Sequence, residues 1–214
     1  VSTSVLASPD APAHEPSGAD IWNAIVQGAI TAFRARAFHD VTLEVVAAES
    51  GQTVAAVHER FPTLDDLVVA TVQVWNAERM AEIVPLAERS GAVEFLGALL
   101  RANIEDPSLA RLLTAVVNIA ATPEHPMAAA LQRQWIQFHL LVERSLTRDV
   151  ALGREPSGLD PSREAEMLIA VYEGLKLQSM MRPALDLLGA WEHAVACLRE
   201  VWSRCSPAAP VWEL

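Results

Sequence analysis

Residues 41–61 read VTLEVVAAESGQTVAAVHERF, and the fold turns on how this stretch is read. Thr42 and Thr53 each stand in front of a run of helix-compatible residues. A threonine hydroxyl in that position accepts an amide hydrogen that the first helical turn leaves free. Gly51 lies between the runs, where glycine takes the left-handed conformation that closes a helix. The pattern predicts a short helix with Leu43, Val45 and Val46 turned inward, then a tight turn. A third helix of about seven residues follows, carrying Val54, Val57 and Phe61. Helix, glycine turn and short helix is an arrangement that can lay its last member in a DNA major groove.

Working outward, apolar residues keep recurring at intervals of three and four. Upstream, Asp20 is placed to cap a first helix whose inner face is Trp22, Ile25, Val26, Ala29 and Phe33, ending near Phe38. Downstream, Thr63 can cap a fourth helix, with Asp65 and Asp66 in its first turn, where carboxylates suit the positive end of the helix dipole. That helix runs through Leu67, Val68, Val72, Trp75 and Met80 towards Leu86. Further helices are predicted near 92–104, 107–121, 125–151, 162–182 and 185–203, separated by Ser90-Gly91, Asp106-Pro107, Pro123 to Pro126, Gly153 to Pro161 and Pro183. No segment alternates with period two between hairpin turns, so no sheet is expected. The fold class is all-α, with about nine helices: a three-helix helix-turn-helix domain and a larger helical domain. The expected division is a disordered tail at 1–19, a DNA-binding domain at 20–67, a ligand-binding and dimerisation domain at 68–205, and a C-terminal tail at 206–214. The first tail is rich in Ser, Ala and Pro, and it has no basic residue to open a signal peptide.

The same residues carry a resemblance. Ile25-Val26, Ala29, Phe33, Phe38, Val41-Thr42, Val46-Ala47, Ser50-Gly51, Thr53, Val57, Phe61 and Leu67 match, in order and spacing, the N-terminal motif of the TetR family of bacterial regulators. A second patch, Tyr172-Glu173-Gly174-Leu175-Lys176-Leu177-Gln178, resembles a segment of that family's penultimate helix. The sequence departs from the family at Ala37, His58 and Leu64, where glycine, tyrosine and lysine are usual. His58 can still donate to a phosphate, whereas Leu64 cannot.

The resemblance implies a homodimeric transcriptional regulator that is cytoplasmic, binds a palindromic operator in double-stranded DNA, and acts as a repressor released by a small apolar ligand. It places DNA contacts at Thr42, Gln52, Thr53, Ala56, His58 and Arg60. Gln52 and Thr53 could reach base edges, while Ala56 could only touch a thymine methyl. A ligand cavity is implied among the middle helices, with Trp75, Phe95, Trp135, Phe138 and His139 as its expected lining. The last two helices are expected to pack against their copies through Val171, Gly174, Leu175, Gln178, Trp191, Val195 and Leu198. Gly174 and its neighbour Ala170 would permit a close approach of helices.

Composition bounds the function. Hydrophobic residues make up 51% of the 214, enough for a substantial core. The longest uncharged run, 21–33, is shorter than the roughly 20 apolar residues that cross a bilayer. Two cysteines, Cys197 and Cys205, make neither a disulfide framework nor a zinc site. No H-E-x-x-H, G-x-S-x-G, Walker loop or G-x-G-x-x-G occurs, so no enzyme activity, metal or cofactor is expected. The net charge is −11, and residues 20–67 hold three arginines against seven carboxylates. Such a domain has little counterion-driven affinity for a polyanion, so DNA binding is expected to be weak. The alternative is a protein of the same shape that has lost DNA binding and serves as a ligand-binding or protein-interaction module.

Overall fold

The computed structural model describes residues 17–205; the first sixteen residues of the tail expected at 1–19, and the whole of the tail expected at 206–214, lie outside the described residues. Among the described residues there are nine α-helices and no strand. They are α1 (Gly18–Ala35), α2 (Leu43–Ser50), α3 (Val54–Arg60), α4 (Leu64–Arg89), α5 (Ala92–Glu105), α6 (Pro107–Ala120), α7 (Ala128–Ala151), α8 (Pro161–Met181) and α9 (Leu187–Cys205). A single 3-10 turn, Phe38–Asp40, joins α1 to α2.

Helix ends follow local chemistry. α1 begins at Gly18, inside the segment expected to be tail, because Ser17 and not Asp20 is its cap. Asp20 is the reciprocal partner: its carboxylate accepts from the Ser17 backbone N–H at 2.9 Å, while its own N–H donates to the Ser17 hydroxyl. The Ser17 hydroxyl, donating to the Asp20 carboxylate at 2.7 Å, and then the Ser17 N–H hold that carboxyl below its ordinary pKa. Thr63 and Asp66 form the same reciprocal cap on α4. α1 stops at Ala35, short of Phe38, which is half-exposed and stacks on Phe33 with ring centroids 5.8 Å apart.

The core is divided, and the division does not fall at residue 67. One apolar cluster joins α1, α2 and α3 to the first half of α4, but it also takes in Leu109, Leu112, Val116 and Ile119 of α6 and Leu131 of α7. The other joins α5, α8 and α9 to the second half of α7, with the far end of α4 packed against it. The N-terminal three-helix unit therefore sits directly on α6, and α4 runs from one cluster to the other.

Candidate functional site

The turn between α2 and α3 is made at Gly51, whose φ of 66° is the left-handed conformation that its position in the sequence predicts. Thr53, which precedes α3, and Val54, Ala55, His58 and Glu59 on it are exposed, while Val57 is fully buried and anchors the helix. Thr42 and Thr53 are occupied as caps, accepting from the N–H of Val45 at 3.4 Å and of Ala56 at 3.1 Å. Every arginine of residues 20–67 has an intramolecular partner. Arg34 reaches Asp106 at 2.9 Å and lies over the Trp75 ring, 4.5 Å from its centroid. Arg36 pairs with Glu49 at 2.8 Å. Arg60 turns back to donate to the Gly18 carbonyl at 3.3 Å. Glu59 is exposed and takes part in no ion pair among the described residues. Hydrogen bonding to Thr42 holds the Glu44 carboxyl below its usual range, which keeps a negative charge next to the expected phosphate contact.

A cavity of about 1120 Å³ opens between α4, α5, α6, α7 and α8. Such a volume slightly exceeds the usual range of ligand sites, roughly 300–1000 Å³. Its walls are mostly aliphatic, among them Val72, Met80, Leu99, Leu113, Val116 and Leu141. Three large apolar side chains, Trp135, Ile136 and Val117, line it and are also about half-exposed, so they stand towards its mouth. Phe138 is the centre of an aromatic group, with Trp135 at 5.8 Å, Phe95 at 6.1 Å and Tyr172 at 6.2 Å between centroids.

Gln73, Gln132, Gln134 and Gln137 add polar groups to the cavity wall, and one part of it is charged. Arg79 donates from Nη1 to Asn103 Oδ1 at 2.7 Å and from Nη2 to Asn76 Oδ1 at 2.8 Å. Asn103 donates in turn to the Tyr172 hydroxyl at 3.3 Å. Lys176, buried, pairs with Glu173 at 2.5 Å and stands 5.6 Å from the centre of the Tyr172 ring. Burial pulls the Arg79 guanidinium below its usual value and pushes the Tyr172 phenol up to about 12.

With this geometry the comparisons agree. Residues 88–202 match the family of BetI-type transcriptional repressor C-terminal domains. The chain belongs to the TetR family. Solved structures of TetR-like regulators share its fold over nearly its whole described length. A TetR transcription regulator from Haloarcula marismortui ATCC 43049 is 23% identical, with a TM-score of 0.64, covering 88% of this chain and 97% of that one. FadR from Bacillus subtilis, solved in complex with stearoyl-CoA, is 15% identical, with a TM-score of 0.61, covering 83% and 97%. SmeT from Stenotrophomonas maltophilia, solved with triclosan, is 23% identical, with a TM-score of 0.61, covering 83% and 90%. The chain matches no curated protein.

In this TetR-family chain the residues expected to line the cavity divide. Trp135 and Phe138 line it; Trp75, Phe95 and His139 do not. Trp75 faces away, 4% exposed in the N-terminal cluster beneath Arg34, because it lies on the side of α4 that meets α1 and α6. Phe95 is fully buried behind Phe138. His139 is half-buried outside the cavity wall. The polar group of Asn76, Arg79 and Lys176 was missed, although the second family-like segment, 172–178, contains the chain's single tyrosine and its single lysine. Among the residues expected at a subunit contact, Gly174 and Gln178 are exposed. Val171, Leu175 and Leu198 are half-buried against the second cluster, and Trp191 and Val195 belong to it. Each of the last two is 4% exposed within one subunit, because α9 turns that face onto the α5 side of the core. The open stripe of α8 is instead Met167, Ala170, Gly174, Leu177 and Met181, and that of α9 includes Cys197 and Val201. Leu64, where the family favours lysine, packs against the N-terminal core. Among the described residues no helix is long and apolar enough to cross a membrane, and no cluster of potential ligands for a metal ion occurs.

Proposed function

We propose that this chain is a homodimeric, cytoplasmic repressor that binds operator DNA weakly through α3 and releases it when a largely apolar ligand enters the cavity. One observation carries the reading: the cavity and the DNA-binding unit share α4 and α6. Val68 and Val69 of α4 are core to the N-terminal unit, while Val72, Asn76, Arg79 and Met80 line the cavity. Val116 of α6 serves both, and Asp106 at the start of α6 holds Arg34 of α1. A His125–Asp65 contact of 3.4 Å ties the segment after α6 to the first turn of α4. A ligand that moves α6 or α4 thus changes how α1 to α3 sit, and it shifts DNA affinity by its differential affinity for the two arrangements. TetR-like regulators solved with stearoyl-CoA and with triclosan support a ligand-binding role for this chain.

The subunit partner is a second copy. On α8 the exposed residues Met167, Ala170, Gly174, Leu177 and Met181 recur at alternating intervals of three and four, the seam of a coiled-coil packing. Ala194, Cys197 and Val201 form a seam of smaller residues on α9. Two α8–α9 pairs would close into a four-helix bundle.

A second reading has its own support. The DNA-facing unit is acidic and its arginines are engaged internally, as befits a ligand-binding module that no longer meets DNA. Binding to DNA from the gene's own upstream region, followed across a salt series, separates the two. The regulator binds a specific fragment at low salt with a shallow salt slope, and the ligand-bound form lets go. Failure to bind any upstream fragment at about 50 mM salt, where phosphate contacts are strongest, leaves the module.

A further inference from the structure

We infer that the ligand is an apolar acid, a hydrophobic body with one carboxylate, received by Arg79, Tyr172 and Lys176. The inference rests on the ligand-binding role proposed for the cavity.

The argument starts from a charge without a counter-charge. Buried ions in proteins are ordinarily paired. Arg79 lines the cavity, yet its two bonded partners are the neutral amides of Asn76 and Asn103. Asp106 and Glu173 attract it from a distance, but neither forms an ion pair with it. Its Nε is the one buried side-chain nitrogen or oxygen that lacks a hydrogen-bond partner among the described residues. An orphaned donor on a partly buried cation is costly, and the cost falls if the guanidinium turns towards an acceptor in the cavity.

The neighbouring groups have the same sign of need. The Tyr172 hydroxyl already accepts from Asn103, and among the described residues nothing accepts its proton. Because the phenol keeps that proton up to about 12, it is a donor throughout the physiological range. Lys176 brings three donors, of which one meets Glu173. The acceptors of this corner, Asn76 Oδ1, Asn103 Oδ1 and the Glu173 carboxylate, are already engaged by its own donors. The charged groups lining the cavity are Arg79, Lys176 and Glu173, an excess of one positive charge. A single carboxylate on an aliphatic or aromatic body satisfies both the charge and the open donors. A neutral apolar ligand satisfies neither. Glu173, partly exposed, acts as the internal competitor for Lys176.

The test uses the full chain and two matched probe pairs, decanoate with decan-1-ol and 4-phenylbutyrate with 4-phenylbutan-1-ol, titrated by calorimetry at neutral pH. Each acid should bind roughly tenfold or more tighter than its alcohol, the value of a charge-assisted hydrogen bond. Arg79→Met should bring the acid down to the level of the alcohol and leave the alcohol unchanged. Removing a buried unpaired charge should not unfold the protein, and circular dichroism checks this. Glu173→Gln should strengthen the acid alone, by freeing Lys176. Equal binding of acid and alcohol, or undiminished acid binding by Arg79→Met, overturns the inference and leaves the cavity as a ligand site. No binding of either member of either pair removes the ligand-site reading, and the inference with it.

Discussion

Tyr172 is a single residue whose chemistry can be read in isolation, since no other tyrosine shares its absorbance. Burial pushes its phenol up to about 12, whereas in the unfolded chain it would titrate near the ordinary value of about 10. Below about pH 10 both states keep the proton and the stability is whole; between 10 and 12 only the unfolded chain releases it, so stability falls as pH rises. Thermal melts should therefore show a drop across that window that is smaller in Tyr172→Phe. A Phe variant with an unchanged pH profile would show that the phenol is not withheld from water. Exposed Glu59, without an ion-pair partner among the described residues, stands on α3, the helix proposed to meet DNA. Glu59→Gln should raise affinity for an upstream fragment in a gel-shift titration, most clearly at low salt, because it removes a like-charge repulsion. An unchanged affinity would place α3 away from the phosphates. These residues also mark what the sequence could and could not disclose. Trp135 and Phe138 line the cavity, whereas Phe95, an aromatic of the same middle helices, is core, so residue type alone does not separate the two uses. Arg79 was not, because nothing in one dimension says that an arginine has been buried beside two asparagines. Trp75 misled for the opposite reason: its pattern of spacing is the same whether α4 turns that face to a cavity or to α1.

Caps and turns made the elements readable. Thr42, Thr53 and Thr63 all cap as their positions imply, Gly51 closes α2, and the five later helices begin and end within three residues of the pattern. The start of α1 was displaced because Ser17 and Asp20 can each cap, and the reciprocal arrangement uses both. Contact between elements is harder to read, and Gly28 is the case in point. It lies on the buried face of α1, where an added Cβ would come within 2.7 Å of the Ser50 Cβ and 2.8 Å of the Ser50 backbone nitrogen. α1 and α2 thus cross with backbone against backbone at the last residue before the Gly51 turn. Gly28→Ala cannot be absorbed by a flexible side chain and should cost about 1–3 kcal/mol, the range of overpacked cores. Chemical denaturation measures the loss. Because the displaced element is α2, the variant should also lose DNA affinity beyond what the fraction folded explains; a stability equal to that of the parent chain would contradict the close approach.

At the scale of the molecule, Gly174 has open space around it within one subunit, so a larger side chain there leaves the subunit fold intact. It stands in the middle of the exposed α8 seam, however, where a second copy would close in. Gly174→Phe should shift the mass measured by light scattering at micromolar concentration from dimer to monomer, with the helical signal unchanged. A parent chain that is already monomeric under those conditions rejects the four-helix bundle. The helix, turn and helix of residues 41–61 were legible from their own sequence, but the placement of α6 in the core of the N-terminal unit was not, since that requires knowing which of several amphipathic faces meet. The arginines of that unit, each held by Asp106, Glu49 or the Gly18 carbonyl, carry one more consequence. A genome offers on the order of 10⁶–10⁹ competing sites, and a regulator rich in loose cations is stored on them. This chain, with its cations tied down and its surface acidic, would remain largely unattached between visits to its operator. Few copies per cell would then be titrated away by irrelevant sequence, and occupancy of one true site would follow the number of molecules closely.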